Sequence, residues 1–583
     1  MGQTNEDEPT REAQSATGSS GFLSSVAPRV FFPATIFLLA VVLIAIFLPE
    51  DLDEALSSTQ EWVIESFGWW YVAIATAFVV FALWMGLSRF GDIKLGKDED
   101  EPEFSVWAWF SMLFAAGMGI GLVFYGAAEP LTFFETPKPG VEGNPGELAS
   151  NAMAQTFLHW GFHAWAIYVV IGLAIAYSVH RKGRPISIRW ALEPILGDRV
   201  KGWVGDAIDV LAVVGTVAGV ATSLGIGVNQ ISGGLEHLGV VDSTSDGLKV
   251  LLIAVITGCA IFSVVSGVGK GIKWLSNTNL VVAGLFLLAV LALGPTSFLM
   301  RDFVDSIGAY FQNLLGLSFD TSTYTGTDGL TWQGGWTMFY WGWWMSWAPF
   351  VGVFIARISK GRTVREFVAG VLLVPTTVTF LWFSVMGGSA IWERMFNDGD
   401  LSVYDAEENY VAEFVLFDLV DTFPLSGLLS VVIIFLVAVF FVTSSDSGSL
   451  VVDMLASGGE TDPPKWSRVF WATIEGLVAA SLLLVGAQGL NALKTGAILI
   501  ALPFSLVLVA MCVATYKAMN SEHRLLVRAQ RRQQREELER QVGHNVTDEL
   551  TENFDEHLAE PVEEHVEMVL TRRDNGKKRP PEE

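Results

Sequence analysis

Cysteine is almost missing from this sequence: Cys259 and Cys512 are its two copies, and both lie in apolar stretches. A disulfide framework or a zinc site needs several cysteines, so neither is expected. Charge is scarce too, because 17% of the 583 residues are charged, where a soluble protein has about a quarter. The formal net charge of -26 disfavours nucleic acid as a partner. It also indicates a salt-rich cytoplasm, as in a halophile, although acidic tails occur elsewhere.

Apolar residues make up 51% of the chain and recur in long runs. A helix of ~20 apolar residues crosses a bilayer. In lipid only helices and closed barrels satisfy their own backbone groups, and these runs are too long and too uniformly apolar for barrel strands. The sequence therefore predicts an all-α membrane protein with twelve transmembrane helices. They lie near 30–49, 69–89, 105–128, 154–179, 207–232, 248–268, 277–300, 334–358, 366–390, 424–448, 467–487 and 493–516.

Lysine and arginine are unequally divided between the two sides of the predicted spans. The connections that follow even-numbered spans carry 17 of them, and the opposite loops carry 5. Because positive residues stay inside, both termini are predicted to be cytoplasmic, with the protein in the cell membrane. The chain is polar up to about Ala27, and no cleavable signal peptide is expected.

Two segments outside the spans have helical patterns. Residues 301–317 place Phe303, Ile307, Phe311 and Leu314 at helical spacing. This pattern indicates a helix in the outer interface or a lid over the mouth. Residues 521–541 form a charged, arginine-bearing helix, after which the chain turns acidic and ends in a short run expected to be disordered.

The third span contains three glycines in five residues, in the segment GMGIG at 117–121. Each glycine weakens a helix by about 1 kcal/mol relative to alanine. Transporters use such interruptions to expose backbone groups to ions and substrate. Small residues also let helices pack closely. The residues alone favour neither interpretation.

The eighth span has five tryptophans within twelve residues, beginning at Trp336. Tyr340, Trp344 and Trp347 share one helical face. Tryptophan and tyrosine belong at membrane edges, yet this cluster continues into the middle of the span, so an aromatic belt explains it poorly. Aromatic faces suit a cation that donates no hydrogen bonds, such as trimethylammonium.

Two further spans carry polar or aromatic residues of interest. The fourth has Trp160, Trp165 and Tyr168, which supply a second wall for an aromatic box, together with two histidines interpreted as packing residues. The tenth has the segment FFVTSSDS at 440–447. Its hydroxyls are suitable Na⁺ ligands beside a broken helix, or they bond back to the preceding turn.

At these residues the chain resembles the betaine/choline/carnitine transporter family, and the tryptophan-rich segment is highly specific to it. The resemblance covers roughly residues 25–520, through AAGMGIGLVFYGAAEP, TFLHWGFHAWAIYVV, WTMFYWGWWMSWAPFVGVFIARISKGRTVREF and FFVTSSDSGSLVVDML. It implies a leucine-transporter-type fold, alternating access and a homotrimer. The implied divisions are the tail 1–28, two extra spans in 29–104, inverted five-helix repeats in 105–300 and 334–516, the outer segment 301–333 between them, and the tail 517–583.

The resemblance also implies a substrate site. Its aromatic box would consist of Trp160, Trp165, Tyr168 and Trp344, with Trp343 and Trp347 along the pathway. The backbone of the glycine segment, with Gly117, Met118, Gly119 and Gly121, would meet the substrate carboxylate.

Two sodium sites are implied in the same way. One would use the carbonyls of Ala115 and Met118 with Phe440, Thr443 and Ser444. The other would lie near Thr216 and Phe350, where Val220 replaces a threonine of the sodium-coupled pattern and leaves the number of sodium ions open.

The expected function is uptake of glycine betaine or a similar quaternary-ammonium solute for osmotic adaptation, with Na⁺ as coupling ion and no other cofactor. Gly121 favours this over proton-coupled choline carriers, which have an aspartate there. The alternatives are a choline, carnitine or sulfonium-solute carrier and a non-transporting membrane osmosensor. The arginine-bearing tail helix resembles an osmosensing tail, and a solvated, salt-bridged helix explains it equally well. An enzyme is not expected, because Glu475, deep in a span, has no metal-ligand cluster around it.

Overall fold

The computed structural model describes residues 25–117, 119–266, 269–397, 401–486, 489–557 and 559–575. These residues are almost entirely helical, and the described part contains isolated bridges but no strand. The α-helices, in chain order, are α1 (Pro28–Phe47), α2 (Pro49–Leu87), α3 (Val106–Gly117), α4 (Ile120–Glu135), α5 (Pro145–Trp160), α6 (Phe162–Ala176), α7 (Ile188–Ala191), α8 (Glu193–Leu196), α9 (Trp203–His237), α10 (Asp246–Ser266), α11 (Gly269–Leu293), α12 (Thr296–Phe319), α13 (Gly326–Gln333), α14 (Phe339–Ile358), α15 (Val364–Phe396), α16 (Ala412–Asp421), α17 (Ser426–Ala456), α18 (Lys465–Leu483), α19 (Gly489–His557) and α20 (Ala559–Asn575).

The prediction of an all-α membrane protein is confirmed. Nine helical segments of the described residues are long and apolar enough to cross a membrane. The count of twelve spans and the pair of inverted repeats stay predictions.

Some boundaries differ from the predicted ones. The seventh span was placed at 277–300, but α11 ends at Leu293 and α12 begins after Pro295. Proline has no backbone N–H to continue a helix, so one helix ends before Pro295 and a new one begins after it. The helix predicted over 301–317 therefore starts earlier than expected, at Thr296. The short helices α7, α8, α13 and α16 were not predicted, because one to three turns carry too little periodicity to be read from sequence.

The third and fourth predicted spans are each divided in two. Helix α3 ends at Gly117 and α4 begins at Ile120, and the intervening Gly119 has extended backbone. The interruption that the glycines suggested is therefore present. The fourth span is divided at Gly161, between α5 and α6. A side chain at Gly161 would place its Cβ 2.5 Å from the carbonyl oxygen of Phe157, so the backbone bend there needs glycine.

Of the divided helices, α4 and α6 and the second half of α5 are buried inside the helical assembly. Helix α14 packs against α6 and α9, α17 packs against α9, and α4 packs against α5 and α15. The approach of α6 to α14 is close, since a Cβ on Gly352 would lie 2.5 Å from Ile171. A π-helical turn, Gly334–Met338, leads into α14. This arrangement brings the two helix breaks beside the tryptophan-rich helix.

The chain divides into two compact units, one up to Lys517 and one from Ala518. In the second unit the predicted charged helix over 521–541 is present, and helical structure continues through α20. Its exposed surface carries ion pairs at i, i+4 spacing, Arg532 with Glu536 at 2.9 Å and Arg535 with Glu539 at 3.0 Å. The run at 576–583, expected to be disordered, lies outside the described residues.

Candidate functional site

A cavity of about 610 Å³, counting its open side, lies where α4, α5, α6, α9, α14, α15 and α17 meet. The broken third span supplies Gly119, Ile120, Gly121 and Leu122 to its lining. All six aromatic residues predicted for the substrate site line it: Trp160, Trp165, Tyr168, Trp343, Trp344 and Trp347.

The aromatic rings form walls that meet edge to face. The centroids of Trp160 and Trp344 are 5.0 Å apart at 69°, and those of Trp165 and Tyr168 are 5.4 Å apart at 74°. Trp343 stacks on Trp344 at 4.7 Å. The indole nitrogen of Trp344 donates to the carbonyl of His159 at 2.9 Å. Rings from three helices are thus fixed around one space, as a cation–π box requires.

The pathway tryptophans are held by a residue that the sequence did not single out. Ser223 on α9 accepts hydrogen bonds from the indole nitrogens of Trp343, at 3.2 Å, and Trp347, at 3.0 Å. Trp347 also donates to the carbonyl of Gly219 at 2.7 Å. A serine in an apolar helix carries no distinctive pattern, so only the three-dimensional contact reveals its part.

Gly121 is the point at which the broken span touches the box. A Cβ on this glycine would lie 2.6 Å from Cη2 of Trp343 and 2.8 Å from Cη2 of Trp160. Gly119, which precedes the first turn of α4, has no side-chain cap. The amides that start α4 therefore border the cavity, where they suit an anionic group. Gly117 ends α3, and Met118 lies outside the described residues.

Apart from Met118, which lies outside the described residues, the residues predicted for the first sodium site lie on α3 and α17, and Ser444 reaches the cavity. Thr443 bonds back to its own helix, to the carbonyls of Val439 at 2.9 Å and Phe440 at 3.2 Å. Ala115 lies on α3, two residues before its end. A Cβ on Gly227 would contact both Ile120, at 3.1 Å, and Phe441, at 3.2 Å, so α17 lies beside the start of α4.

Residues of the second predicted sodium site do not line the cavity. The hydroxyl of Thr216 on α9 donates to the carbonyl of Ala212 at 2.8 Å, and Phe350 on α14 contacts Trp347 at 5.0 Å. Val220 lies beside α17, where a Cβ on Gly448 would be 2.9 Å from it. A valine supplies no oxygen ligand at that position.

A buried carboxylate lies behind the box. Glu129 on α4 is 0% exposed and accepts a hydrogen bond from the indole nitrogen of Trp160 at 2.8 Å. The hydroxyl of Tyr340 donates to the same oxygen, and Nδ1 of His159 lies 2.7 Å from the other. His163, interpreted from sequence as a hydrogen-bonded packing residue, stacks on Trp341 at 5.3 Å, but neither of its ring nitrogens has a hydrogen-bond partner among the described residues.

A larger vestibule of about 1780 Å³, counting its open side, is lined by residues of α2, α4, α13, α14 and α19. Phe339 and Lys494 are among its lining residues, and the Lys494 ammonium lies 5.0 Å from the Phe339 ring and 5.9 Å from the Tyr125 ring. Tyr125 in turn contacts the box at Trp160 and Trp343. A layer of aromatic rings therefore separates the vestibule from the box.

Comparison with known proteins identifies relatives over most of the chain. The model of the betaine/carnitine/choline family transporters matches residues 29–524. An uncharacterized transporter of Mycobacterium bovis is 51% identical over 502 residues, which are 85% of this chain and 83% of that protein. A glycine betaine transporter of Bacillus subtilis is 45% identical over 505 residues, 86% of this chain and 96% of the relative. Another glycine betaine transporter, from Vibrio parahaemolyticus, is 44% identical over 473 residues, which are 80% of this chain and 88% of the relative.

Proposed function

This chain belongs to the betaine/carnitine/choline transporter family, and we propose that it imports glycine betaine or a similar quaternary-ammonium solute. The family and its named members are transporters, so this chain is a multi-pass membrane transporter and not an enzyme. The single observation that carries the choice of solute is the cavity in which Trp160, Trp165, Tyr168 and Trp344 meet the start of α4.

The two ends of a betaine match the two ends of this cavity chemically. A trimethylammonium group cannot donate hydrogen bonds, and each aromatic face that it meets in a desolvated site contributes ~1–2 kcal/mol. The carboxylate suits the backbone amides at the start of α4, beside Gly119 and Gly121. Choline has no carboxylate to meet these amides, and an acidic side chain at position 121 would clash with Trp160 and Trp343.

Sodium is the proposed coupling ion. Ser444 places a hydroxyl at the cavity beside the break between α3 and α4, and the break frees backbone carbonyls of the kind that Na⁺ takes as ligands. The proposed ligands are the carbonyls of Ala115 and Met118 with Phe440, Thr443 and Ser444. Ion and solute would stabilise the same arrangement of the broken span, which couples their binding.

Alternating access in the cell membrane completes the proposal, with both termini cytoplasmic and the vestibule extracellular. The aromatic layer of Tyr125, Tyr340 and Phe339 would then close the box from outside. Inward opening would need the divided helices α3 and α4 to move against their neighbours, and such division supplies the hinge.

A homotrimer is proposed from the family resemblance and from α12. This helix carries a row of exposed apolar side chains along its length, and such a row suits contact with lipid or with a second copy. Its members are Met300, Val304, Phe311, Leu315 and Phe319. Chemical cross-linking in native membranes should yield a trimeric band on a denaturing gel. A monomeric band without cross-linked species would refute the homotrimer.

Uptake of labelled glycine betaine into sealed proteoliposomes tests this function. An inward Na⁺ gradient should drive accumulation, and an equal K⁺ gradient should not. Accumulation without any sodium requirement would refute the coupling ion alone. Binding of betaine with no flux would instead indicate the non-transporting osmosensor. Uptake of choline, carnitine or a sulfonium solute in preference to betaine would assign the protein a different transported solute.

A further inference from the structure

The carboxylate of Glu129 has no part in the binding scheme described so far, although it contacts a wall of the box. It is completely buried on α4, and its Oε2 accepts hydrogen bonds from Trp160 and Tyr340. A buried carboxyl group is costly in a membrane and needs a reason to be there.

The hydrogen bonds around His159 indicate which of its ring nitrogens donates to Glu129. The Nε2 atom of His159 lies 3.0 Å from the amide nitrogen of Gln155, which can only donate, so Nε2 is an acceptor. The hydroxyl of Thr337, also 3.0 Å away, is free to donate to the same atom. In a neutral imidazole the proton is then on Nδ1, which donates to Glu129 at 2.7 Å.

Glu129 consequently receives three hydrogen bonds from neutral groups: an indole N–H, a phenol O–H and an imidazole N–H. An ionised carboxylate accepts and never donates, and three converging donors stabilise that form. The arrangement of donors therefore suits a negative charge whose hydrogen-bond partners are uncharged. The ammonium of Lys494 lies 5.9 Å from the ring of Tyr125, which is one helical turn before Glu129 on α4.

The position of this charge relative to Trp160 matters for a cation. The indole edge of Trp160 donates to Glu129 while the ring lines the cavity and meets Trp344. A hydrogen bond to an anion polarises the donor ring and makes its face more negative. The anion also attracts a cation in the cavity directly, and apolar surroundings screen that attraction weakly.

We propose that Glu129 gives the cavity its preference for a positively charged head group, by fixing the indole of Trp160 and by supplying negative charge behind it. This inference rests on the proposed function, because it concerns how the same cavity recognises its solute. Glu129 is a positioning and electrostatic residue that does not need to touch the solute.

The test compares two ligands that differ in the charge of the head group. Glycine betaine carries a quaternary nitrogen, and tert-butylacetate has the same shape with a neutral quaternary carbon. With the purified full-length protein, Glu129→Gln should raise the dissociation constant of betaine by about tenfold. The dissociation constant of tert-butylacetate should stay unchanged or fall, because loss of a nearby negative charge favours an anion.

Two further variants separate electrostatics from shape. Glu129→Asp keeps the charge and should keep the preference for betaine, even where both ligands bind more weakly. Trp160→Phe removes the indole N–H, and adding Glu129→Gln to it should cost less betaine affinity than Glu129→Gln alone. If Glu129→Gln does not fold, Trp160→Phe by itself should narrow the preference for betaine over tert-butylacetate.

If Glu129→Gln lost affinity for betaine and for tert-butylacetate by the same factor, the inference would be overturned and Glu129 would be a purely structural residue. An unchanged preference in Trp160→Phe would overturn it as well. Failure of the unmodified protein to bind betaine is a different result, since that would refute the proposed function instead.

Discussion

Single residues decide how closely the walls of the box approach, and Gly121 is the clearest case. The sequence suggested its position, because three glycines within one span predict weakness in the helix. It did not suggest that the missing side chain makes room for Trp160 and Trp343, whose Cη2 atoms lie 2.8 Å and 2.6 Å from the place of a Cβ. That contact joins residues far apart in the chain, so it appears only in the folded protein.

Gly121→Ala should weaken betaine binding by about tenfold or more, because the new methyl group must displace ring atoms of a packed cavity. Gly258→Ala is the matched control, since a Cβ on this helical glycine of α10 meets nothing within 4 Å. Isothermal titration of both variants with betaine measures the effect. Equal affinities would show that the rings yield without cost.

The aromatic residues were predictable as a set, and their partners were not. Trp343 and Trp347 stand out by composition, because tryptophan is rare within a span. Ser223 accepts from both of these indoles and Glu129 accepts from Trp160, yet neither has such a signal: a serine among small residues and a glutamate before a proline are ordinary in sequence. Hydrogen bonds between distant segments carry this information.

At the scale of helices, the breaks are the elements that place backbone groups at the cavity. The break between α3 and α4 was foreseeable from glycine content, whereas the bend at Gly161 between α5 and α6 rests on one glycine in an apolar run. A single glycine is tolerated within a helix, so sequence alone does not mark it as a bend.

Ser444→Ala should lower the sodium dependence of betaine binding, because the proposed site loses a hydroxyl ligand. The sodium concentration for half-maximal effect should rise by about tenfold, as expected for losing a bond to a charged group. Ser430→Ala on the same helix is the control, since its buried hydroxyl donates within its own helix to the carbonyl of Ser426. Identical sodium curves for both variants would remove Ser444 from the site.

The contact of α12 with α15 should depend on pH through Asp302. Burial against α15 raises the pKa of this carboxyl group from 3.8 to about 6, although the Ser306 hydroxyl donates to it at 3.1 Å. The folded state therefore binds the proton more tightly than the unfolded state. The resulting stability, up to roughly 3 kcal/mol, is complete below about pH 4 and is lost as the pH rises through about 6.

Asp302→Asn should remove this pH dependence and raise thermal stability at neutral pH. Asp305→Asn, on an exposed position of the same helix, should leave most of the dependence intact, because the charge of Asp305 contributes least to the raised pKa of Asp302. Unfolding midpoints in detergent at about pH 5 and about pH 8 make the comparison. A pH profile of Asp302→Asn that matches the unmodified protein would assign the effect to another group.

For the whole molecule, composition predicted the class and the structure supplied the site. Low charge and recurrent apolar runs already required a membrane protein with helical spans. The sequence periodicity did not predict that α4, α5, α6 and α14 converge on one cavity, because this convergence depends on how helices distant in sequence pack. Family membership, established over residues 29–524, shows that the chain is a transporter, and the proposal assigns its solute to that cavity.

The central claim is that this cavity binds a quaternary ammonium between its aromatic walls. Betaine binding to purified Trp344→Phe, compared with Trp341→Phe, tests it most directly. Both tryptophans are buried on α14, but Trp344 lines the cavity and Trp341 stacks on His163. The dissociation constant of betaine should rise by about tenfold in Trp344→Phe, since phenylalanine is a weaker cation–π partner, and should stay unchanged in Trp341→Phe. Unchanged binding in Trp344→Phe, or equal losses in both variants, would contradict the account.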